Sequence, residues 1–405
     1  MYNHLFFYEH KYCTAISKLH LAQKVFLYPK TDQVVFYVHN DVYEVMNNIT
    51  NYLANEEEYE DILNRPSIPF EIEKVHGYIR GKRILVTGAA GSIGSSLVEH
   101  LLKLNPAKLI LLDNAELGLI NLQAKLQAIT KDYPDVDVQY FIADITYKPY
   151  ISQKLRNNKP DIIFHVAAVK HVPFLEAHAE FTLRVNLLGT KVMADLAELW
   201  KVDKFILISS DKAVNPIGVM GTSKHLAEKY VLSKGNSNTQ FIVTRFGNVI
   251  GSSGSVIPIF KKQIESGGPI TVTDLITERY LMTIPESCQL LLLAATFGEH
   301  KNIFIFKMGP PVRIIDIARN LIEKHRLKFG SEIKIALIGL RNGEKLKEEL
   351  FSQWEVCVPS PIPHLFHIHT SNLALSHSSR HLPASFQTKS IQKLLRHAFP
   401  MDIPL

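Results

Sequence analysis

The chain has 405 residues, of which 46% are hydrophobic and 21% charged, and a formal net charge of +6. That length accommodates more than one domain and a large buried core, and the composition excludes a disordered or fibrous chain. So small a charge, with no basic run interleaved with aromatics, argues against nucleic acid as a partner while suiting an anionic small molecule.

Cys13, Cys288 and Cys357 stand far apart without metal-ligand spacing. They predict reduced thiols and a cytoplasmic setting rather than a disulfide framework. No apolar stretch approaches the about 18 residues of a membrane helix, so no integral membrane segment is expected. Nor does the N-terminus show the basic-then-apolar order of a signal peptide. The sequon Asn48-Ile49-Thr50 reads as chance.

Residues 1–80 read as an N-terminal extension, with a strand at 33–38 and a Glu-rich helix at 51–64. Breaks at Pro66 and Pro69 then lead into a linker ending near Gly81. From Lys82 the pattern becomes regular, with short apolar runs at 83–87, 109–112, 139–143, 162–166, 205–209 and 241–245 separated by helical stretches. Strands alternating with helices predict βαβ units, hence an α/β fold with a doubly wound parallel sheet over 81–250. Residues 251–350 have shorter elements joined by Gly, Ser and Pro, as expected of a smaller substrate-binding lobe. The Leu-rich run 290–295 and Phe304–Phe306 read as core. Residues 351–405 read as a C-terminal tail, rich in His and Ser and of weak periodicity beyond Pro359. Its His364, His367, His369, His377 and His381 lack interleaved carboxylates or cysteines, so no metal is expected.

Val86-Thr87-Gly88-Ala89-Ala90-Gly91-Ser92-Ile93-Gly94 follows the first of these strands and opens a helix. Glycines there permit a tight turn, close backbone approach to a pyrophosphate and close helix–strand packing, while the helix start offers amide donors to an anion. The preceding strand, the following helix and Asp113 at the end of the next strand agree on a Rossmann-like dinucleotide site. A carboxylate at Asp113 accepts ribose hydroxyls and repels a 2′-phosphate. With no Arg or Lys directly after it, NAD is favoured, and NADP stays open. Asp144 and Ile145, after the third strand, are placed to meet the adenine.

Leu207-Ile208-Ser209-Ser210-Asp211-Lys212 carries an apolar strand out of the sheet into a hydroxyl, a carboxylate and an amine. In open α/β sheets this carboxyl edge is where ligands bind. Met220 and Lys224, four apart, share one face of the helix that follows. The adjacent Asp211 and Lys212 can supply an acid and a base, as a dehydration requires. One group protonates a departing hydroxyl and the other takes a proton α to a ketone.

With those residues in view the chain resembles the bacterial UDP-N-acetylglucosamine 4,6-dehydratases of capsule, O-antigen and glycan synthesis, within the extended short-chain dehydrogenase/reductases. The resemblance runs from about residue 65 to about residue 350. Its markers are Arg80-Gly81-Lys82, the glycine turn, Leu112-Asp113-Asn114-Ala115-Glu116, Ala167-Ala168-Val169-Lys170-His171-Val172-Pro173 and Asn186 in Val-Asn-Leu-Leu-Gly-Thr. They continue with Ser210-Asp211-Lys212-Ala213-Val214-Asn215-Pro216, Arg245-Phe246-Gly247-Asn248-Val249, Arg279-Tyr280-Leu281-Met282 and Gly343-Glu344-Lys345.

What the resemblance implies is a tightly held NAD that takes a hydride from C4 of a UDP-sugar and returns it to C6. Lys212 would remove the C5 proton and Asp211 would protonate the leaving C6 hydroxyl. Ser210 would hold the substrate hydroxyl, and Lys224 the nicotinamide ribose. Most of the superfamily has tyrosine where Met220 stands, and a thioether has no proton to exchange. The chain is thus nearer the long, membrane-tethered branch, which carries Met, although soluble-looking residues replace its membrane region. Gly88, Gly91, Ser92, Ile93, Gly94, Ala167, Ala168, Lys170 and Asn186 would line the cofactor. Lys170, His171, Asn248, Val249, Arg279 and Arg341 are candidates for the UDP-sugar, the arginines for its phosphates. A homo-oligomer is the expected assembly.

Two other readings stand beside the dehydratase. One is a UDP-sugar 4-epimerase, which shares the cofactor turn but has no use for an Asp–Lys pair. The other is a catalytically silent cofactor-binding scaffold.

Overall fold

A computed structural model describes residues 25–27, 34–36, 59, 62–63, 65–66, 68, 72–235, 238–329, 332–370 and 389–398. The chain divides into two compact units, Met1–Arg65 and Pro66–Leu405. In the first, strands β1 (Val25–Leu27) and β2 (Val34–Phe36) pair antiparallel, the second falling within the expected 33–38 strand. Most of the expected 51–64 helix, and Cys13, Asn48, His377 and His381, lie outside the described residues.

The second unit opens with helix α1 (Ile72–Ile79), where the sequence predicted a linker. The correction has a simple cause. Val75 and Ile79 are four apart and share one helix face, and both are buried, which gives this short segment a core to pack on.

Strand and helix then alternate as expected: β3 (Arg83–Thr87), α2 (Ser92–Leu102), β4 (Lys108–Asp113), α3 (Glu116–Thr130), β5 (Asp137–Ile142), α4 (Lys148–Lys154) and β6 (Ile162–His165). Short helices α5 (Val172–Leu175) and α6 (Ala179–Leu183) run through a π-type turn, Arg184–Gly189, into α7 (Thr190–Trp200). Next come β7 (Lys204–Ser210), a 3₁₀ turn at Asp211–Ala213, α8 (Val219–Leu232) and β8 (Gln240–Phe246).

The remaining elements are shorter. β9 (Asn248–Val249), α9 (Val256–Glu265), β10 (Ile270–Val272), β11 (Glu278–Arg279) and β12 (Leu281–Met282) precede α10 (Ile284–Phe297) and β13 (Ile303–Phe306). β14 (Val312–Arg313), α11 (Ile314–Phe329), β15 (Ile335–Leu337), β16 (Glu355–Pro359), β17 (Leu365–Thr370) and α12 (Lys389–Ala398) follow.

One nine-stranded sheet runs β16-β17-β13-β8-β7-β6-β3-β4-β5. Its strands from β13 to β5 are mutually parallel, and β17 and β16 are added antiparallel. Helices on both faces account for strands such as β6, buried at all four positions, and for two separate apolar clusters, one on each side. The chain leaves β3 toward β4 and β5, then returns to lay β6 on the other side of β3. That reversal opens a crevice at the carboxyl ends of β3 and β6.

β16 and β17 therefore belong to the main sheet, where the sequence predicted a C-terminal tail. β13 adds a further strand from within the expected lobe. Arg245 on β8 fastens this C-terminal pair: its guanidinium meets Glu228 of α8 at 2.8 Å and Glu355 of β16 at 2.8 Å, all three side chains being at most 7% exposed. Pairs β10–β15, β11–β14 and β9–β12 make up the small lobe.

Candidate active site

The glycine turn is shaped by contacts that leave no room for side chains. Gly88 has φ +67°, and a Cβ there would lie 2.7 Å from the backbone of Ala167, at the end of the neighbouring β6. A Cβ on Gly94 would lie 2.0 Å from the carbonyl oxygen of Gly88. Gly91 precedes α2, whose first residues are Ser92 and Ile93. Asp113, at the end of β4, accepts the N–H of Ala90 at 2.9 Å and that of Ala115 at 3.0 Å. Asp144 accepts the N–H of Thr146 at 2.8 Å, and Ile145 is buried against Gly189 of the π-type turn.

The far wall of the crevice is held by two buried polar residues. Asn186 accepts the N–H of Val169 at 2.9 Å and donates to the Val169 carbonyl at 3.0 Å and to Ser223 Oγ at 2.9 Å. It thereby ties the segment Ala167-Ala168-Val169-Lys170 to α8. His165 lies between Thr87 and Thr190, at 2.8 and 3.1 Å. Because the Thr190 hydroxyl donates to the Asn186 carbonyl, it accepts from His165 Nε2, which makes Nδ1 the acceptor of Thr87. Burial drives the pKa of this imidazole down to about 3, so it is neutral.

At the end of β7 the expected cluster assembles. Ser210 Oγ donates to Asp211 Oδ1 at 2.8 Å, and Lys212 Nζ donates to the same oxygen at 2.9 Å and to Asn248 Oδ1 at 2.7 Å. Asp211 is fully buried, and its Oδ2 has no hydrogen-bond partner. Such an atom is costly unless something occupies it, so the carboxylate is built to meet a further polar group. Met220 is buried in the first turn of α8. Lys224 donates to the Ile208 carbonyl at 2.8 Å, and burial lowers its pKa to about 8. The helix carrying both starts on Glu176, which accepts the N–H of Val219 at 2.7 Å.

The residues expected around the substrate divide. Lys170 Nζ donates to Ser252 Oγ at 3.2 Å, and the His171 ring lies where a Cβ on Gly254 would be, 2.4 Å from its Cε1. Asn248 and Val249 stand beside the cluster on β9, with Asn248 on Lys212. Arg341 is exposed and paired with Glu344 at 2.6 Å. Arg279, expected on a phosphate, is buried, and it donates to the carbonyls of Glu278, Lys345 and Leu346 at 2.8, 2.8 and 3.1 Å. It holds the loop after residue 342 instead.

That loop brings in a residue the sequence reading passed over. Glu348 is buried, with Oε1 at 3.7 Å from Lys212 Nζ. Lys345 anchors the same loop by donating to the Val214 carbonyl at 2.7 Å. In sequence Glu348 sits in the charged run Glu344-Lys345-Leu346-Lys347-Glu348-Glu349, which looks like a solvated face. Among the described residues no group of His, Cys, Asp or Glu is arranged to hold a metal. No helix among them is long and apolar enough to cross a membrane.

A doubly wound sheet with a glycine turn at its switch point, and a hydroxyl, carboxylate and amine at the end of β7, define an extended short-chain dehydrogenase/reductase. The sequence model described as "Polysaccharide biosynthesis protein" matches residues 84–370, and the chain belongs to that family. It is 43% identical over 302 residues to the capsular polysaccharide biosynthesis protein CapD of Staphylococcus aureus, covering 74% of this chain and 50% of CapD. The chain thus spans about half the length of that curated relative. A UDP-glucose 4-epimerase of Rickettsia bellii is 34% identical over 294 residues, 71% of this chain and 82% of the epimerase. Among solved structures, Pen from Bacillus thuringiensis superposes with a TM-score of 0.67 at 33% identity, covering 73% of this chain and 90% of Pen. The family resemblance read from the motifs is borne out, as is the Rossmann-like parallel sheet.

Proposed function

We propose that the protein is an NAD-dependent 4,6-dehydratase of a UDP-N-acetylhexosamine, UDP-N-acetylglucosamine or a close relative, serving surface polysaccharide synthesis. The observation that carries this is the buried Asp211 with one unpartnered oxygen, directly beside the amine of Lys212.

The cofactor fits the crevice on the evidence of the glycines. A Cβ at Gly88 or Gly94 would collide with the backbone of Ala167 or of Gly88, so only glycines allow the tight turn whose helix start could offer amides to a pyrophosphate, and Asp113 would accept the ribose hydroxyls. When bound, NAD would supply the hydride-transfer chemistry between C4 and C6. The chain's own groups move the protons. Ser210 would orient the substrate hydroxyl, and Lys224 would hold the nicotinamide ribose. With a thioether at position 220, the proton leaving O4 needs another acceptor, and Asp211 Oδ2 serves. The same proton, delivered from Asp211 to the C6 oxygen, lets it leave as water. Lys212 takes the C5 proton in that elimination and gives one back to C5. Protons and hydride balance: one hydride moves from C4 to C6, one proton from O4 to the departing water.

The similarity to an epimerase favours a second reading, 4-epimerisation. The Asp211–Lys212 pair counts against it, because that chemistry needs proton exchange at O4 alone and gives Lys212 no task.

Incubation of the purified chain with UDP-N-acetylglucosamine in deuterated water, followed by NMR and mass spectrometry, tests the reading. A 4-keto-6-deoxy product deuterated at C5 supports it, with Asp211→Asn and Lys212→Ala losing turnover while keeping fold and cofactor. A 4-epimer without loss of water establishes the alternative. An unchanged substrate with cofactor bound, across the UDP-N-acetylhexosamines, leaves a silent scaffold.

A further inference from the structure

Lys212 presents a physical difficulty for any mechanism that uses it as a base. Its ammonium is met by Asp211 Oδ1 at 2.9 Å, Asn248 Oδ1 at 2.7 Å and Glu348 Oε1 at 3.7 Å. Two buried carboxylates and an amide oxygen favour the protonated amine, which cannot accept a proton from carbon. The proton must therefore go to a partner before Lys212 acts, and the two carboxylates are not equivalent. Asp211 Oδ1 accepts hydrogen bonds from both Ser210 and Lys212, which stabilise its charge. Glu348 has no such support: its Oε2 is buried without a hydrogen-bond partner, 3.7 Å from Lys345 Nζ. Of the two, Glu348 is the carboxylate that gains more by becoming neutral.

We propose that Glu348 is the positioning residue of Lys212, taking the proton that the amine must shed before it acts as a base and returning it after turnover. The inference rests on the dehydratase reading, because only that reading makes Lys212 a base. The exchange is internal and balanced: the ammonium of Lys212 and the carboxylate of Glu348 become an amine and a carboxylic acid, with no net charge moved. A separation of 3.7 Å closes to hydrogen-bond length by a small rotation of either flexible side chain.

The surroundings are consistent with that role. Burial is the main influence on the Glu348 carboxyl and raises its pKa; Asp211 adds to this, while Lys212, Arg279 and Lys345 oppose it. Tyr280 also faces Asp211, its phenol pKa pushed up by burial and then by Glu278 and Asp211. The loop is not free to drift. Arg279 grips its carbonyls at Lys345 and Leu346, and Glu349 accepts from Asn215 Nδ2 at 2.7 Å.

The test compares the wild-type chain with Glu348→Gln and Glu348→Asp, using UDP-N-acetylglucosamine in deuterated water. An internal proton exchange makes wild-type turnover insensitive to pH near neutrality. In Glu348→Gln the proton must go to solvent, so turnover falls about 100-fold at neutral pH and climbs back as pH rises, with KM unchanged. Glu348→Asp restores the flat profile at an intermediate rate. A Glu348→Gln profile that is flat, whether at the wild-type or a reduced rate, overturns the proposal, since a purely structural role lowers the rate equally at every pH.

A second readout needs no turnover: titration of the Lys212 amine in ¹⁵N-lysine-labelled protein, assigned with Lys212→Arg. Removing a negative charge so close to the ammonium is expected to move that titration to lower pH in Glu348→Gln. An unchanged titration in Glu348→Gln overturns the coupling. Wild-type protein that yields no product from any UDP-N-acetylhexosamine would defeat the dehydratase reading instead, and the titration would still decide whether Glu348 governs Lys212.

Discussion

Arg245 and Glu355 are joined by two hydrogen bonds, of 2.8 and 2.9 Å, across 110 residues of sequence. The same guanidinium holds Glu228 at 2.8 and 3.0 Å, so one buried cation links α8, the middle of the sheet and its C-terminal edge. Arg245→Met would strand two carboxylates in the core. Urea unfolding should show a loss of about 3–5 kcal/mol, because a buried ion left without its partner bears its full desolvation cost. Glu355→Gln keeps a polar acceptor and should lose less, about 1–3 kcal/mol. Equal losses would mean that the arginine is not the centre of the triad.

Acid stability follows from two buried histidines. Burial holds His165 at about 3 and His225 at about 4, against 6.5 for an ordinary imidazole. Both pKa values are depressed in the folded chain, so the unfolded chain binds protons first as pH falls. Their stabilisation is complete above about pH 6.5 and is lost progressively as pH drops toward 4 and then 3. Denaturation midpoints measured from pH 7 to pH 4.5 should fall. His165→Gln should flatten that slope by up to about one proton, which is a change of about 2 kcal/mol over the interval.

Two glycines in helices give opposite expectations. Gly94→Ala sets a methyl 2.0 Å from the Gly88 carbonyl, a backbone atom that cannot step aside. The variant should lose cofactor occupancy and about 1–3 kcal/mol of stability. Gly77 in α1 has nothing within 4 Å of its would-be Cβ, so Gly77→Ala should gain about 0.5–1 kcal/mol. Thermal melts and the cofactor absorbance of the purified variants check both.

Periodicity made most of the sheet legible. The expected strand at 83–87 is β3 itself, and the expected 162–166 and 205–209 strands match β6 and β7 to within a residue at each end. Those strands are apolar because both their faces are covered, and that signal survives in sequence alone. α1 was hidden by Pro66 and Pro69, which ended the pattern just before a helix too short to show a period. β16 has no legible period because it is an edge strand of mixed burial that carries Glu355, a charge made compatible with burial only by Arg245 of β8. The candidate catalytic segment was legible because Ser210, Asp211 and Lys212 are consecutive. Glu348 and Arg279 were not, because burial among charges and bonds to carbonyls depend on the fold bringing 279 and 345–348 to the end of β7.

Asp113 has both carboxylate oxygens engaged by the chain's own amides, one from the glycine turn and one from the start of α3. Each oxygen still has a lone pair to offer, so a ribose diol would meet an acceptor that is already aimed and needs no reorientation. Little ordering entropy remains to be lost there when a dinucleotide arrives. The same two bonds tie the glycine turn to the start of α3 from within the chain, so the shape of that corner is set by the fold's own amides and carboxylate.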